Sequence, residues 1–525
     1  AALIYLSHSN GISTMNINPL FIAMSVLLSV SLAPITHAEE LSTSATNIAS
    51  RRELFVDAAL VEKTSGQANF QLHAPTRREI AIQYNEPWEG NASGYSTIIQ
   101  DGDVYHMFYR GHKYIIDEKQ LRQAQSEVTC YAHSSDGIHW TKPKLGLFDW
   151  QGSKENNIIF RGSPETHNFA PFIDINSDCP PDERFKAIGG TVTSKGLWTF
   201  KSADGIHWSR KSDKAVVTKG AFDSHNACFW DAKSNRYVMY VRYFSDGAFK
   251  GLRSIGVAFS TDFETWTDPI GITYPNSPPQ QMYTNQVLPY YRAPHILVGF
   301  PTRYVARKLN DHGKTLEPLA LREKLTIAYE RCATDLTDGL FMASRNGQSF
   351  RRWDEAFLRP GPEAAGQWVY GDHYQAYGLW ETKSNINGAP NDISMHFSEH
   401  AWLDDLHRQR RYTIRLDGFV SLHAPLTGGE CITKPVVFTG QQLHVNYSTS
   451  AAGGLYVELQ DLAGQPLPGF TQQDCLEHYG DSTEQVIRWK SGTDVSTLAG
   501  KPIRIRFILK DADLYSYQFG TTNVR

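Results

Sequence analysis

The sequence has no pair of cysteines at CxxC spacing; Cys130, Cys179, Cys228, Cys332, Cys431 and Cys475 stand singly along the chain. That excludes a zinc knuckle, and no HExxH run offers an alternative metal site. An excess of one charge is missing too. The chain sets 51 Lys and Arg against 55 Asp and Glu, a formal net charge of −4, so it carries no footprint for nucleic acid. Beyond residue 38 no run approaches ~18 uninterrupted apolar residues, which excludes a membrane-spanning helix there. The Gly-bearing stretch GGTVTSKG (189–196) opens no helix and so makes no phosphate cradle. Neither a metal nor a cofactor is expected.

What is present starts with an apolar stretch, Leu20 to Leu32, followed by Thr36-His37-Ala38, a small-x-small site. This reads as an export leader cleaved near Ala38, leaving a periplasmic or secreted chain that does not contact the membrane after cleavage. Export permits disulfides, and Cys431 with Cys475 is a candidate pair. At 525 residues the chain suits two or three domains or one large repeat array.

A repeat decides between these. The heptad SSDGIHW (134–140) returns as SADGIHW (202–208), and weaker copies follow as STDFETW (260–266) and SRNGQSF (344–350). Ser-x-Asp-Gly is a tight-turn signal: Gly supplies positive φ, and Asp bonds the turn backbone. A β-rich run such as YHMFYRG (105–111) or YVMYVRYFS (237–245) precedes each copy. The copies start 68, 58 and 84 residues apart. A four-stranded antiparallel sheet with its loops takes roughly 40–70 residues; two of the three spacings fall in that range, and each copy is read as marking one propeller blade. Strand pairs at 96–109, 168–190, 224–243 and 284–300, with a fifth at 374–397, predict five blades; 53–66 is expected to close the ring. From 413 onward LHVNY, LYVELQ and IRIRFIL alternate with period two, the pattern of an antiparallel sandwich. The expected organisation is all-β: a leader over 1–38, a five-bladed β-propeller over 39–412 and a C-terminal β-sandwich over 413–525.

The heptads, the first-blade segment STIIQDGDVYHMFYRG (96–111) and the appended sandwich resemble the five-bladed propeller glycosidases of families 32, 43, 68 and 117, the sandwich being similar to that of family 32. The resemblance implies glycoside hydrolysis in an axial pocket. Those families open the inner strands of their first two blades with an acid, typically in an Asp-Pro pair. Here the corresponding segments read EGNASGY (89–95) and HNFAP (167–171), so two of three family acids do not carry over, which argues against a plain invertase or arabinanase.

Propeller geometry brings the starts of inner strands and the ends of second strands to one rim. The starts give Tyr95, His167 and Asn168, the DSHN run with Asp223, His225 and Asn226, then Tyr283 and Asn285, and finally Asp372 and His373. The ends give Arg110, Arg242, Arg303 and Glu399. Glycoside hydrolysis needs one group to protonate the leaving oxygen and another as base or nucleophile. Asp223 and Asp372 lead as carboxylates, with Glu399 and Glu89 behind them. His225 and His373 are alternative acids, since a His acid occurs in family 117. The arginines favour a negatively charged substrate, because a guanidinium forks onto carboxylate or sulfate. The expectation is therefore an exported, exo-acting glycoside hydrolase on a sulfated or uronic polysaccharide. The alternatives are a propeller-type phosphorylase and a non-catalytic carbohydrate-binding protein.

Overall fold

The structure, a computed structural model, describes residues 45–521 except Ala248, Asp404 and Asp405; the expected leader through Ala38 lies outside the described residues. Five four-stranded antiparallel sheets follow one another along the chain. Their innermost strands are Gly94–Asp101, Ala170–Ile173, Ala227–Asp231, Leu288–Tyr290 and Trp380–Thr382. Strands such as Val104–Gly111 and Arg236–Phe244 are buried on both faces, which is why they read as nearly continuous apolar runs. Separate apolar clusters lie between successive sheets. Phe169, Phe200 and Trp208 join the first to the second, Phe172 and Phe263 the second to the third, and Tyr240 and Phe350 the third to the fourth. Phe341 and Phe397 join the fourth to the fifth. Met107 and Trp380 lie in the cluster between fifth and first, and Ile98 N and Tyr377 N each donate across that seam. The ring so closed is a β-propeller.

The heptads form one turn four times. Gly137 N donates to Ser134 Oγ at 2.9 Å, and Ile138 N and His139 N both donate to Asp136 Oδ1 at 2.8 Å. The same bonds recur around Ser202 and Asp204, Ser260 and Asp262, and Ser344 and Asn346. Gly137, Gly205 and Gly347 hold φ near 70–76°, and Phe263 adopts φ 67° at the matching place. Phe263 tolerates that strain because its ring is fully buried against Phe172 and Tyr237. Each turn docks on the preceding blade. Trp380 of the fifth sheet donates from Nε1 to Gly137 O at 3.0 Å, and Tyr240 of the third donates to Gly347 O at 2.8 Å. The fifth sheet has no heptad, but Asp417-Gly418 follows its third strand and docks the same way, taking a 2.6 Å bond from Tyr290 of the fourth.

The remaining strands build a sandwich. Gln442–Gln460 and Arg504–Gly520 run side by side, and their register shifts between Thr449 and Gly454. At that bend both pass from one layer to the other. Val420–Ala424 pairs with the second half of Arg504–Gly520, Gly429–Thr433 with the first half. Leu443, Val457, Phe507 and Phe519 fill the core between. The N-terminal segments join this sheet: Val61–Gly66 pairs with Gly429–Thr433, and Asn69–Leu72 with Val420–Ala424. The expectation that 53–66 closes the ring is therefore corrected. The closing strand is Thr76–Gln83, outermost in the fifth sheet against Arg408–Arg415. Its TRREIAIQ sequence hides it, because an outermost strand meets water and carries charge, here Arg77 on Glu399 and Glu79 on Arg411. All six cysteines are free thiols, so Cys431 and Cys475 are not bridged. No helix among the described residues is long and apolar enough to cross a membrane.

Two substitutions test these joints. Gly137→Ala is expected to cost about 2 kcal/mol or more, because φ 70° is unfavourable with a Cβ and that atom would meet the Trp380 ring at 2.7 Å; a thermal melt reads the loss. Asp417→Asn is expected to cost roughly 3–5 kcal/mol by leaving buried guanidinium groups uncompensated. Burial pushes the Asp417 carboxyl up, but Arg52 and Arg292 outweigh it and hold it below the ordinary value. The stability it supplies is therefore full above about pH 4 and lost as pH falls below that, and Asp417→Asn flattens this acid limb in urea titrations.

Candidate active site

A cavity of about 550 Å³ opens on the propeller axis, and all five sheets contribute to its wall. Two elements extend it. The second and third strands of the fourth sheet run on as Thr302–Val305 and Leu336–Gly339, and the excursion between them carries the helices Leu319–Tyr329 and Arg331–Thr334. A hairpin from the first sheet, Tyr114–Asp117 with Gln120–Gln123, packs Ile116 and Leu121 into one apolar cluster with Leu325, Cys332, Tyr95 and Tyr283. Helix and hairpin together wall one side of the mouth.

On one wall a histidine sits between two carboxylates. His167 Nδ1 donates to Glu127 Oε2 at 2.8 Å, and Nε2 donates to Asp223 Oδ1 at 3.3 Å. Burial disfavours the His167 cation, but Glu127 and Asp223 outweigh burial and raise its pKa to about 9. It is therefore charged at neutral pH. Asp223 keeps 62 % of its side chain exposed to the cavity. Burial of its site raises its pKa, yet the bond from His167 and the charges of His167, Arg242 and Arg110 hold it well below the ordinary range. Glu127 is likewise lowered, His167 and Arg110 outweighing burial. Among the described residues Asp223 is the one carboxylate that lines the cavity.

The other wall is aromatic and cationic. Tyr283 stacks on Tyr374 with centroids 5.3 Å apart, and Tyr370 lies across it at 5.7 Å and parallel to Trp402 at 6.2 Å. Arg242 lies 4.3 Å over the Tyr283 ring and Arg331 4.5 Å over Tyr370, while Arg110 covers Tyr95 at 4.5 Å. Among the described residues no carboxylate stands within ion-pair distance of these three guanidinium groups. Aromatic faces and neutral acceptors hold them instead: Asn168 Oδ1 and Ala92 O for Arg110, Tyr283 O for Arg242, Tyr370 OH for Arg331. With His167 they set four cationic groups against Asp223 and Glu127, so the cavity attracts anions.

The structure thus brings Tyr95, Arg110, His167, Asp223 and Tyr283 to the cavity wall. Asn168 and Arg242 lie directly behind it. The other expected residues do not line it. Asp372 is fully buried; Ala401 N donates to its Oδ1, and burial first, then Glu399, pushes its carboxyl well up. His373 is buried beside it, its pKa lowered to about 4 mainly by burial. Glu399 is enclosed by Arg77, Arg408 and Arg410. Glu89 takes bonds from Tyr109 and Lys142 inside the first sheet, and Arg303 forks onto Asp338. His225 lies beneath Tyr95 between Thr97 and Gln286, neutral because burial and Arg110 lower its pKa to about 3. Asn226 donates to Phe222 O of its own loop, and Asn285 donates to His225 O, which ties two adjacent strand starts together. Among the described residues no cluster of His, Cys, Asp and Glu fits a metal ion.

Sequence reasoning missed Glu127, Arg331, Tyr370 and Trp402. Glu127 immediately precedes the third strand, Val128–Ser134, and third strands start at the rim where second strands end. Reading that third set of positions would have found it. Arg331 sits in the helical excursion, where no strand pattern points to it.

No family model matches the sequence. No curated protein matches it. Among solved structures the chain is similar to a glycoside hydrolase family 43 arabinoxylan arabinofuranohydrolase from Bacillus subtilis, at 11% identity over 84% of this chain and 98% of that one, TM-score 0.39. It is also similar to a fructofuranosidase from Schwanniomyces occidentalis, at 11% identity over 86% and 99%, TM-score 0.33. An N-acetylgalactosamine deacetylase from F. plautii matches at 13% identity over 65% and 94%, TM-score 0.38.

The His167 arrangement is testable without substrate. Replacing Asp223 with Asn removes one of the two carboxylates that hold the cation, so the His167 pKa is expected to fall from about 9 toward its ordinary 6.5, and Glu127→Gln is expected to lower it as well. Imidazole proton resonances followed against pH check both.

Proposed function

We propose that this chain hydrolyses glycosidic bonds in an anionic carbohydrate, sulfated or uronic, acting from a chain end in the axial cavity. The observation that carries the reading is a proton-transfer unit, Asp223 bonded to cationic His167, in a cavity lined by two guanidinium groups, Arg110 and Arg331, that have no carboxylate partner among the described residues. His167 near pKa 9 is a proton donor at neutral pH, and Asp223 is ionised and open to cavity water. Arg110 and Arg331 supply guanidinium donors for sulfate or carboxylate. Tyr374 and Trp402 offer flat faces for a sugar ring. The hairpin and helix walling one side of the mouth favour a chain end over a mid-chain segment. Export belongs to the same proposal: the apolar stretch before Ala38 supports a periplasmic or secreted setting. The chemistry so described calls on no cofactor.

The same cationic wall also suits inorganic phosphate, so a phosphorylase is the second reading. One assay separates them: reducing-end release from sulfated and uronic oligosaccharides beside neutral fructan and arabinan, with and without phosphate. Turnover is expected on the charged set without phosphate. Asp223→Asn is expected to lower kcat by about 10²–10⁴-fold, and Arg110→Lys to raise KM by about tenfold with little change in kcat. Turnover confined to neutral glycans, or dependent on phosphate, overturns the reading.

A further inference from the structure

Glycoside cleavage needs a second reacting group besides the proton donor, and among the described residues the cavity wall holds one carboxylate, which is bonded to that donor. Asp223 and His167 therefore act as a single unit, and no other carboxylate among the described residues lines the cavity to serve as the second group. The tyrosines that face the cavity are not equivalent. Arg331 Nη2 donates to Tyr370 OH at 2.6 Å, and Tyr370 OH donates to Tyr283 OH at 2.6 Å. Arg242 stands 4.3 Å over the Tyr283 ring and bonds its carbonyl. Tyr283 is thus the acceptor at the end of a relay that starts at a guanidinium, with a second guanidinium on its face. That arrangement favours the phenolate over the phenol.

We propose that Tyr283 is the nucleophile of the hydrolysis inferred above, on which this step rests, so that cleavage passes through a glycosyl-tyrosine and retains anomeric configuration. The Tyr283 phenolate forms a bond to the anomeric carbon as the bond from that carbon to the leaving oxygen breaks, and His167 gives its proton to the leaving oxygen. Water then attacks the anomeric carbon and gives a proton to neutral His167, and the phenolate departs. Atoms and charge balance over the two steps, with one water consumed. A phenolate held between two guanidinium groups leaves that cluster without net negative charge, so it does not repel an anionic sugar. The electrostatics agree with the geometry. Burial and Asp223 push the Tyr283 hydroxyl up, but Arg242, Arg331 and the bond from Tyr370 outweigh them and bring it below the ordinary tyrosine value. Tyr95, Tyr370 and Tyr374 lie well above it, raised chiefly by burial.

The test titrates the full chain by tyrosinate absorbance and assays the same variants on the charged oligosaccharide panel. Wild type is expected to show one tyrosine ionising below the ordinary value near 10. Tyr283→Phe should remove that step while keeping the melting temperature, and Tyr370→Phe, which deletes the relay donor, should move it upward. On any panel member that wild type cleaves, Tyr283→Phe is expected to lose about 10³-fold or more in kcat, and the first product should keep its anomeric configuration by NMR. Absence of the early-ionising step, or its survival in Tyr283→Phe, overturns the proposal whatever the substrate. So does an inverted first product, or a Tyr283→Phe turnover within tenfold of wild type. An undiminished rate in Asp223→Asn sinks the reading of the cavity instead and leaves the tyrosine result to stand by itself.

Discussion

Asp417 holds a negative charge with no water around it, and the joint between the two halves of the molecule depends on it. Its Oδ1 accepts from Tyr290 OH and Arg292 Nε of the fourth sheet, and its Oδ2 from Arg52, Ser516 and Asn446. Those donors come from the N-terminal segment, the ring and both long strands of the sandwich. A buried carboxylate is unfavourable unless its lone pairs are filled, and here donors from four separate stretches of chain must arrive together to fill them. The carboxylate therefore specifies one docking of sandwich on ring where apolar contact alone would allow several. Because it also ends the third strand of the fifth sheet, the same group fixes the seam beside which the ring closes.

The architecture was legible because its joints are written in sequence. The Ser-x-Asp-Gly heptads repeat since each turn must present the same carbonyl and the same positive φ to a neighbouring blade, so the requirement falls on residue identity and not on general hydrophobicity. Where the joint uses other chemistry the signal disappears. The fifth blade substitutes Asp417-Gly418 for a heptad, and the closing strand Thr76–Gln83 is charged because at the outer edge most of its side chains meet water or ion partners. The helices in the fourth sheet escaped notice for a related reason: they interrupt a strand pair without altering the pattern on either side.

The site was half legible. Asp223, His167, Arg110, Tyr95 and Tyr283 follow from propeller geometry, because strand starts and ends converge on an axis. What sequence does not carry is side-chain direction at the rim. Asp372 and Asp223 occupy equivalent strand starts, yet one is sealed under Ala401 and the other faces the cavity. Arg303 and Arg242 end equivalent strands, yet one finds Asp338 and the other an aromatic ring. A neighbour contributed from a distant part of the chain decides each case.

The interleaving of the ends sets the order in which the molecule can be made. Thr46–Ala49 waits for Val436–Phe438, and Glu53 pairs with Tyr517, the last long strand to be synthesised. At ~5–20 residues per second, the earliest strands stay without partners for tens of seconds while the ring between them is produced. Over that interval the growing chain is a set of blades with an open edge and an unanswered N-terminal arm. The sandwich thus acts as a clasp closed last, and a chain that stops short of its final strand leaves Glu53–Leu54 nowhere to go.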